Sequence, residues 1–248
     1  MTDAQTTEAL TVDAQTAAAA ATYDTWHPEP GADARMADSH EPMWRHFIDL
    51  LPETDLRTRT VLDFGCNRGG FLRLLHALRP FHRGVGVDIA TASVEAANAL
   101  RGGAPVSYHV AHDLAAWRGA VDLALSYEVI YLLPDLERHA VEVFQALRPG
   151  GVYYAVTGCH TENPLWPSWR GLIAARSNAP VQDHSPNDYA DALASAGFEV
   201  SLRRFGYNGW VSAQKDRHYY PSVVDAFAYP AEDKLLFRAT RPAADVAS

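Results

Sequence analysis

Cysteine is scarce in this chain, with Cys66 and Cys159 its whole complement. Two thiols in separate predicted elements are too few for the disulfide framework of a secreted protein, and no zinc-type spacing surrounds them. They are read as reduced thiols of a cytoplasmic protein. Basic clusters are missing too. Lys and Arg total 21 against 30 Asp and Glu, a formal net charge of −9, and no basic run appears. Duplex DNA or RNA is bound largely by cations that neutralise phosphates, so no nucleic-acid partner is expected. Long hydrophobic runs are also absent from the start of the chain. Residues 1–22, MTDAQTTEALTVDAQTAAAAAT, begin acidic and carry no Lys or Arg before their alanine run. They never reach signal-peptide or membrane length, so neither export nor a membrane span is expected.

What is present describes a globular domain. The 248 residues are 48% hydrophobic and 21% charged, which suits one sizeable core. Residues 1–15 have little apolar patterning and are expected to be disordered. Residues 16–242 are expected to form a single domain: N-terminal helices over 16–58, a cofactor-binding core over 59–158, and acceptor-binding loops with the last strands over 159–242. An Ala-rich helix is predicted from Ala14 to Trp26, ending before Pro28 and Pro30. Met43, Phe47, Ile48 and Leu51 predict a second helix from Glu41 to Leu51.

From Thr60 the pattern alternates. Strands are predicted at 60–64, 84–88, 106–110, 121–126 and 151–157, with helices over Gly70–Leu78, Ala90–Leu100 and Leu136–Leu147 between them. Such alternation implies right-handed crossovers and a parallel sheet covered on both faces. A helix over Ser185–Ala196 and strands at 198–205 and 234–240 would complete the same sheet. The predicted fold is therefore α/β, a Rossmann-like, mostly parallel sheet of seven strands flanked by helices. The N-terminal helices and aromatic-rich loops would cap it.

The first strand runs into Asp63-Phe64-Gly65-Cys66-Asn67-Arg68-Gly69-Gly70 and then a helix. Glycines there let backbone N–H groups and the helix start approach a polar ligand. A glycine turn alone leaves a dinucleotide open. Asn67 stands where that pattern wants glycine, however, and the Asp63 carboxylate would repel a pyrophosphate. Asp88, at the end of the second strand beside Ile89, is placed to accept two ribose hydroxyls. Asp113 follows the third strand, where it can take an exocyclic amine while the Leu114 N–H meets a ring.

These residues resemble the successive motifs of class I S-adenosylmethionine-dependent methyltransferases, matched from about Thr60 to Thr157. The resemblance implies S-adenosylmethionine as cofactor and S-adenosylhomocysteine as product. It places Asp63, Gly65, Cys66, Asn67 and Gly69 around the methionine moiety, Asp88 and Ile89 at the ribose, and Asp113 and Leu114 at the adenine. Ser126, in Leu125-Ser126-Tyr127-Glu128-Val129-Ile130-Tyr131-Leu132, would line the cofactor site after strand four. Asn67 departs from the family's usual glycine, but Asn tolerates a left-handed backbone. Some relatives carry an acid and a histidine where Tyr131 and Leu132 stand, and use them with metal; no metal is expected here. In many small-molecule relatives a helix such as the one carrying Tyr23 and Trp26 folds over the cofactor as a lid; a plain packing role is the alternative.

A sulfonium methyl is already a good leaving group, so alignment in a dry pocket is the main requirement and can contribute roughly 7–11 kcal/mol. A phenol or weakly acidic ring N–H would gain from a base, and histidine suits pH 7. The candidates are His160, after strand five, and His184, before the helix at 185; each is otherwise a water-exposed loop residue. Tyr131 would line the pocket floor, and Glu128 would cap the turn after strand four. Trp26, Trp166, Trp169, Tyr207 and Trp210 are candidate acceptor contacts, because rings stack on planar acceptors. Tyr189 and Tyr220 read as core.

The expected activity is methyl transfer to an O or N atom of a small aromatic or nitrogen-heterocyclic metabolite in secondary metabolism, by a monomer or homodimer. The alternatives are an RNA or protein methyltransferase and a non-catalytic S-adenosylmethionine-binding protein. A hydride-transferring dehydrogenase is disfavoured by Asp63 and Asn67.

Overall fold

The computed structural model describes residues 32–177, 181–214 and 219–244. The expected helix from Ala14 to Trp26, with Tyr23 and Trp26, lies outside them, as do residues 1–15. The chain runs α1 (Ala32–Leu50), β1 (Leu56–Phe64), α2 (Gly70–Leu78), β2 (Phe81–Asp88), α3 (Thr91–Leu100), β3 (Val106–Val110), β4 (Val121–Tyr127), α4 (Leu136–Ala146) and β5 (Leu147–Thr157). It continues through α5 (Trp166–Ser177), α6 (Pro186–Ser195), β6 (Glu199–Arg204), α7 (Val223–Ala228) and β7 (Leu235–Thr240). The seven strands form one sheet in the order β3-β2-β1-β4-β5-β7-β6. All neighbours are parallel except β7, which runs against both β5 and β6.

Period-two alternation along the strands builds two cores. Val61, Leu123, Leu125 and Tyr154 face Phe47, Ile48 and Leu51 of α1 and Phe71, Leu72 and Leu75 of α2. Leu62, Val85, Ala124 and Tyr153 face α4 and α6 on the other side. The strand order reverses between β1 and its two neighbours, β2 and β4, and this opens a crevice at their carboxyl ends.

Two expectations about helices are corrected. Helix α1 begins at Ala32, not Glu41, and runs through Pro42. Trp166 and Trp169, expected among the acceptor-binding loops over 159–242, stand in the first turn of α5. Pro167 is compatible with that position, where its missing N–H would have no intrahelical partner. Among the described residues no helix is long and apolar enough to cross a membrane.

Candidate active site

The turn after β1 is held in a left-handed conformation at three points, with φ of 75° at Gly65, 45° at Asn67 and 69° at Gly69. A Cβ on Gly65 would collide with the Val129 side chain, and one on Gly69 with the Tyr108 ring. Gly65 and Cys66 both donate their N–H to the Val87 carbonyl, at 2.8 and 3.0 Å. The turn is thus clamped to the end of β2, with the start of α2 directly behind it.

Asp88 takes part in that clamp. One carboxylate oxygen accepts the Asn67 N–H at 2.8 Å and the other the Ala90 N–H at 3.0 Å. Asp63 is buried, and its Oδ2 has no hydrogen-bond partner. Burial pushes this carboxyl up to about 8, with the nearby Asp88 charge adding to the shift. The buried Asn67 Oδ1 is likewise unpartnered. Asp113 is exposed and accepts the Ala115 N–H at 2.9 Å, whereas Leu114 is buried beside it. Ile89 is half-buried next to Asp88, and Ser126 is fully buried at the end of β4.

Beyond Ser126 the chain does something the sequence did not announce. Glu128 has a φ of 55°, a strained value for a non-glycine residue. It does more than cap the next turn. Its Oε1 accepts from the Tyr229 hydroxyl at 2.7 Å and pairs with the Lys234 ammonium at 2.8 Å, while the Gly158 N–H reaches Oε2 at 3.2 Å. Lys234 is only 4% exposed. It also donates to the Tyr127 hydroxyl at 2.8 Å and lies over the Tyr127, Tyr229 and Phe205 rings. Burial alone would lower the lysine and raise the glutamate. Their mutual attraction outweighs that cost, raising Lys234 and lowering Glu128, so both stay charged.

A second group of rings stands over the carboxyl ends of β4 and β5. Tyr131, Trp166, Trp169 and Tyr229 are buried in one cluster, with Tyr219 and Tyr220 packed against it. Trp169 meets Tyr229 edge-on at 4.5 Å between centroids, and Tyr131 meets Trp166 at 6.1 Å. The tryptophan N–H groups are satisfied, Trp166 by Asp183 at 3.1 Å and Trp169 by the Tyr219 carbonyl at 2.6 Å. Tyr189 is core, as expected, and its hydroxyl donates to the Cys159 carbonyl at 2.9 Å.

The remaining expected acceptor contacts lie elsewhere. Tyr207 packs against His46 in the α1 core, at 5.4 Å between centroids. Trp210 is 96% exposed and forms no wall of the ring cluster. The histidines are tied to main chain: His160 Nε2 to the Asp233 carbonyl and His184 Nε2 to the Leu133 carbonyl, both at 2.8 Å. A carbonyl only accepts, so each Nε2 carries a proton. His160 is buried, and its Nδ1 has no partner. Neither Lys234 nor His40, whose ring meets Tyr127 at 5.8 Å, stood out in the sequence. A single lysine before an apolar strand looks like any strand boundary, and His40 precedes the expected start of its helix.

The sequence model of a family described as "Methyltransferase domain" matches residues 36–202, more than half of the chain. The chain belongs to this methyltransferase family. Its relatives include trans-aconitate 2-methyltransferases. That of Azoarcus sp. (strain BH72) is 35% identical over 120 residues, covering 48% of this chain and 46% of the relative, so the match spans under half of that protein. That of Methylobacterium radiotolerans is 28% identical over 198 residues, covering 70% and 74%. Solved structures share the fold. The complex between the Haloferax volcanii Trm112 methyltransferase activator and a methyltransferase contains a chain with a TM-score of 0.74 and 23% identity, over 89% of this chain and 97% of that one. Geranyl diphosphate C-methyltransferase from Streptomyces coelicolor A3(2), with Mg2+, geranyl diphosphate and S-adenosyl-L-homocysteine, gives 0.60 and 23%, over 80% and 76%.

S-adenosylmethionine is the cofactor of this methyltransferase. The site fits it. An unpartnered buried carboxylate oxygen on Asp63 and an unpartnered amide oxygen on Asn67 flank a glycine turn that a Cβ would fill. An ammonium donor and a sulfonium charge complement such acceptors, whereas a pyrophosphate does not. Among the described residues no group of three or more His, Cys, Asp or Glu is arranged to hold a metal.

Proposed function

We propose that this methyltransferase acts on an O or N atom of a small aromatic or nitrogen-heterocyclic metabolite. The observation that carries the reading is the gathering of Tyr131, Trp166, Trp169, Tyr219, Tyr220 and Tyr229 into one cluster over the carboxyl ends of β4 and β5. That edge is where open α/β sheets bind ligands, and ring-lined walls favour a planar guest while excluding water.

When bound, S-adenosylmethionine supplies a methyl group on a good leaving group. Asp63 and the glycine turn hold the methionine end, Asp88 and Ile89 the ribose, Asp113 and Leu114 the adenine. Trp166, Trp169 and Tyr131 orient the acceptor. His160, with Nε2–H committed to the Asp233 carbonyl, keeps a lone pair on Nδ1 with which to take an acceptor proton. The similarity to two trans-aconitate 2-methyltransferases favours a second reading, in which the acceptor is a small unsaturated acid.

The test is transfer of tritiated methyl from S-adenosylmethionine to phenols, N-heterocycles and trans-aconitate. Turnover of a planar acceptor, with His160→Ala lowering the rate at least tenfold and S-adenosylhomocysteine affinity less than threefold, supports the reading. A wild-type rate in His160→Ala removes the base, and turnover of non-planar aliphatic amines or alcohols alone removes the ring-lined pocket.

A further inference from the structure

The mechanism above leaves the charged cluster at the end of β4 unused. Its geometry fixes the direction of one proton. A lysine ammonium only donates, so the Tyr127 hydroxyl oxygen, 2.8 Å from Lys234 Nζ, must be the acceptor of that bond. The hydroxyl's own hydrogen is therefore free to donate, and among the described residues it has no second partner. The Tyr127 side chain is half-buried, in contact with the His40 ring of α1 and with Phe205. It follows Ser126 directly and precedes by two residues the Val129 that fills the space beside Gly65. Tyr127 is thus the last residue of β4, at the carboxyl edge of the sheet.

The cluster is built to keep this donor in place. Glu128, which would otherwise compete for the hydroxyl proton, is saturated by Tyr229, Lys234 and the Gly158 N–H. A phenol whose oxygen accepts from a permanent cation is a polarised donor, and charge-assisted partners suit such a donor best.

We propose that Tyr127, positioned by the Lys234–Glu128 pair, is the contact that takes an anionic oxygen of the acceptor, so that the acceptor class is a planar carboxylic acid bound as its carboxylate. The inference rests on the proposed small-molecule methyltransferase reading and narrows its substrate class. Lys234 and Glu128 are positioning residues in it; of these three, Tyr127 is the one that touches the ligand.

The experiment uses the full chain saturated with S-adenosylhomocysteine, titrated calorimetrically with trans-cinnamate, benzoate and indole-3-carboxylate and with their three amides. At least one carboxylate is expected to bind tenfold or more tighter than its amide. Tyr127→Phe should abolish that preference while leaving S-adenosylhomocysteine affinity within threefold and the melting temperature within a few degrees. Lys234→Arg, which keeps a donor-only cation, should retain most of the preference. Equal binding of acids and amides, binding of none of the acids, or a preference intact in Tyr127→Phe would each overturn the proposal. Failure of S-adenosylhomocysteine itself to bind would instead overturn the underlying cofactor reading.

Discussion

The Asn67 backbone N–H lies 2.8 Å from Asp88 Oδ2, so the residue proposed to hold the ribose also pins the turn that carries the first glycine. Cofactor recognition and turn geometry therefore depend on one side chain.

Replacing Asp88 should thus do two things at once. Asp88→Ala is expected to weaken S-adenosylhomocysteine binding at least tenfold and to lower the melting temperature of the cofactor-free protein, since two backbone N–H groups lose their acceptor. Asp88→Asn, which keeps an acceptor oxygen, should recover part of the stability but little of the affinity. Calorimetry and thermal melts of both variants check this; unchanged affinity in Asp88→Ala would remove the ribose assignment.

Asp63 makes the opposite stability prediction. Its carboxyl is pushed up to about 8 in the fold, against an ordinary value near 3.8. Between these values the folded chain holds a proton that the unfolded chain has lost, so stability is fully present below about 3.8 and falls as pH rises toward 8. Asp63→Asn should therefore melt several degrees higher than wild type at pH 8 without cofactor, with a smaller difference at pH 5. The same variant should bind S-adenosylhomocysteine more weakly, a trade of stability against function. Equal melting temperatures at pH 8 would contradict the burial argument.

The Lys234–Glu128 pair should behave as a buried ion pair. Removing one partner leaves the other charge uncompensated at a cost of about 3–5 kcal/mol. Lys234→Met alone is expected to lower the melting temperature by roughly 10 °C. The double variant Lys234→Met with Glu128→Gln should regain more than half of that loss. If the two substitutions were simply additive in thermal melts, the pair would not be coupled.

His139 sets an acid limit. It is buried between Phe64 and Tyr153, with Nε2 3.0 Å from the Tyr153 hydroxyl, and burial lowers its imidazole to about 4 from 6.5. The unfolded chain takes up a proton first, so stability present above 6.5 is lost progressively as pH falls toward 4. His139→Gln, which does not titrate, should show a smaller fall in melting temperature between pH 7.5 and 5 than wild type. An identical fall would place the acid-sensitive group elsewhere.

The seven strands and the glycine turn after β1 were legible because each has a local signature. Val61-Leu62-Asp63-Phe64-Gly65 needs no distant partner to read as a buried strand entering a glycine turn, and Asp88 and Asp113 follow their strands in the same register. The acceptor side was not legible. Trp166 and Trp210 look alike in sequence, yet one is buried in the ring cluster and the other is in solvent, because the path of the chain rather than residue type decides. Lys234 and Glu128 are 106 positions apart in the chain, and only the antiparallel return of β7 alongside β5 brings them together.

The most direct measurement is calorimetric titration of the purified chain with S-adenosylhomocysteine, with NAD as control. Micromolar, one-to-one binding of S-adenosylhomocysteine, weakened in Asp88→Ala, is expected, with no heat from NAD. Binding of NAD in its place, or of neither ligand, would contradict the assignment of Asp63, Asn67 and Asp88 to a methyl-donor site.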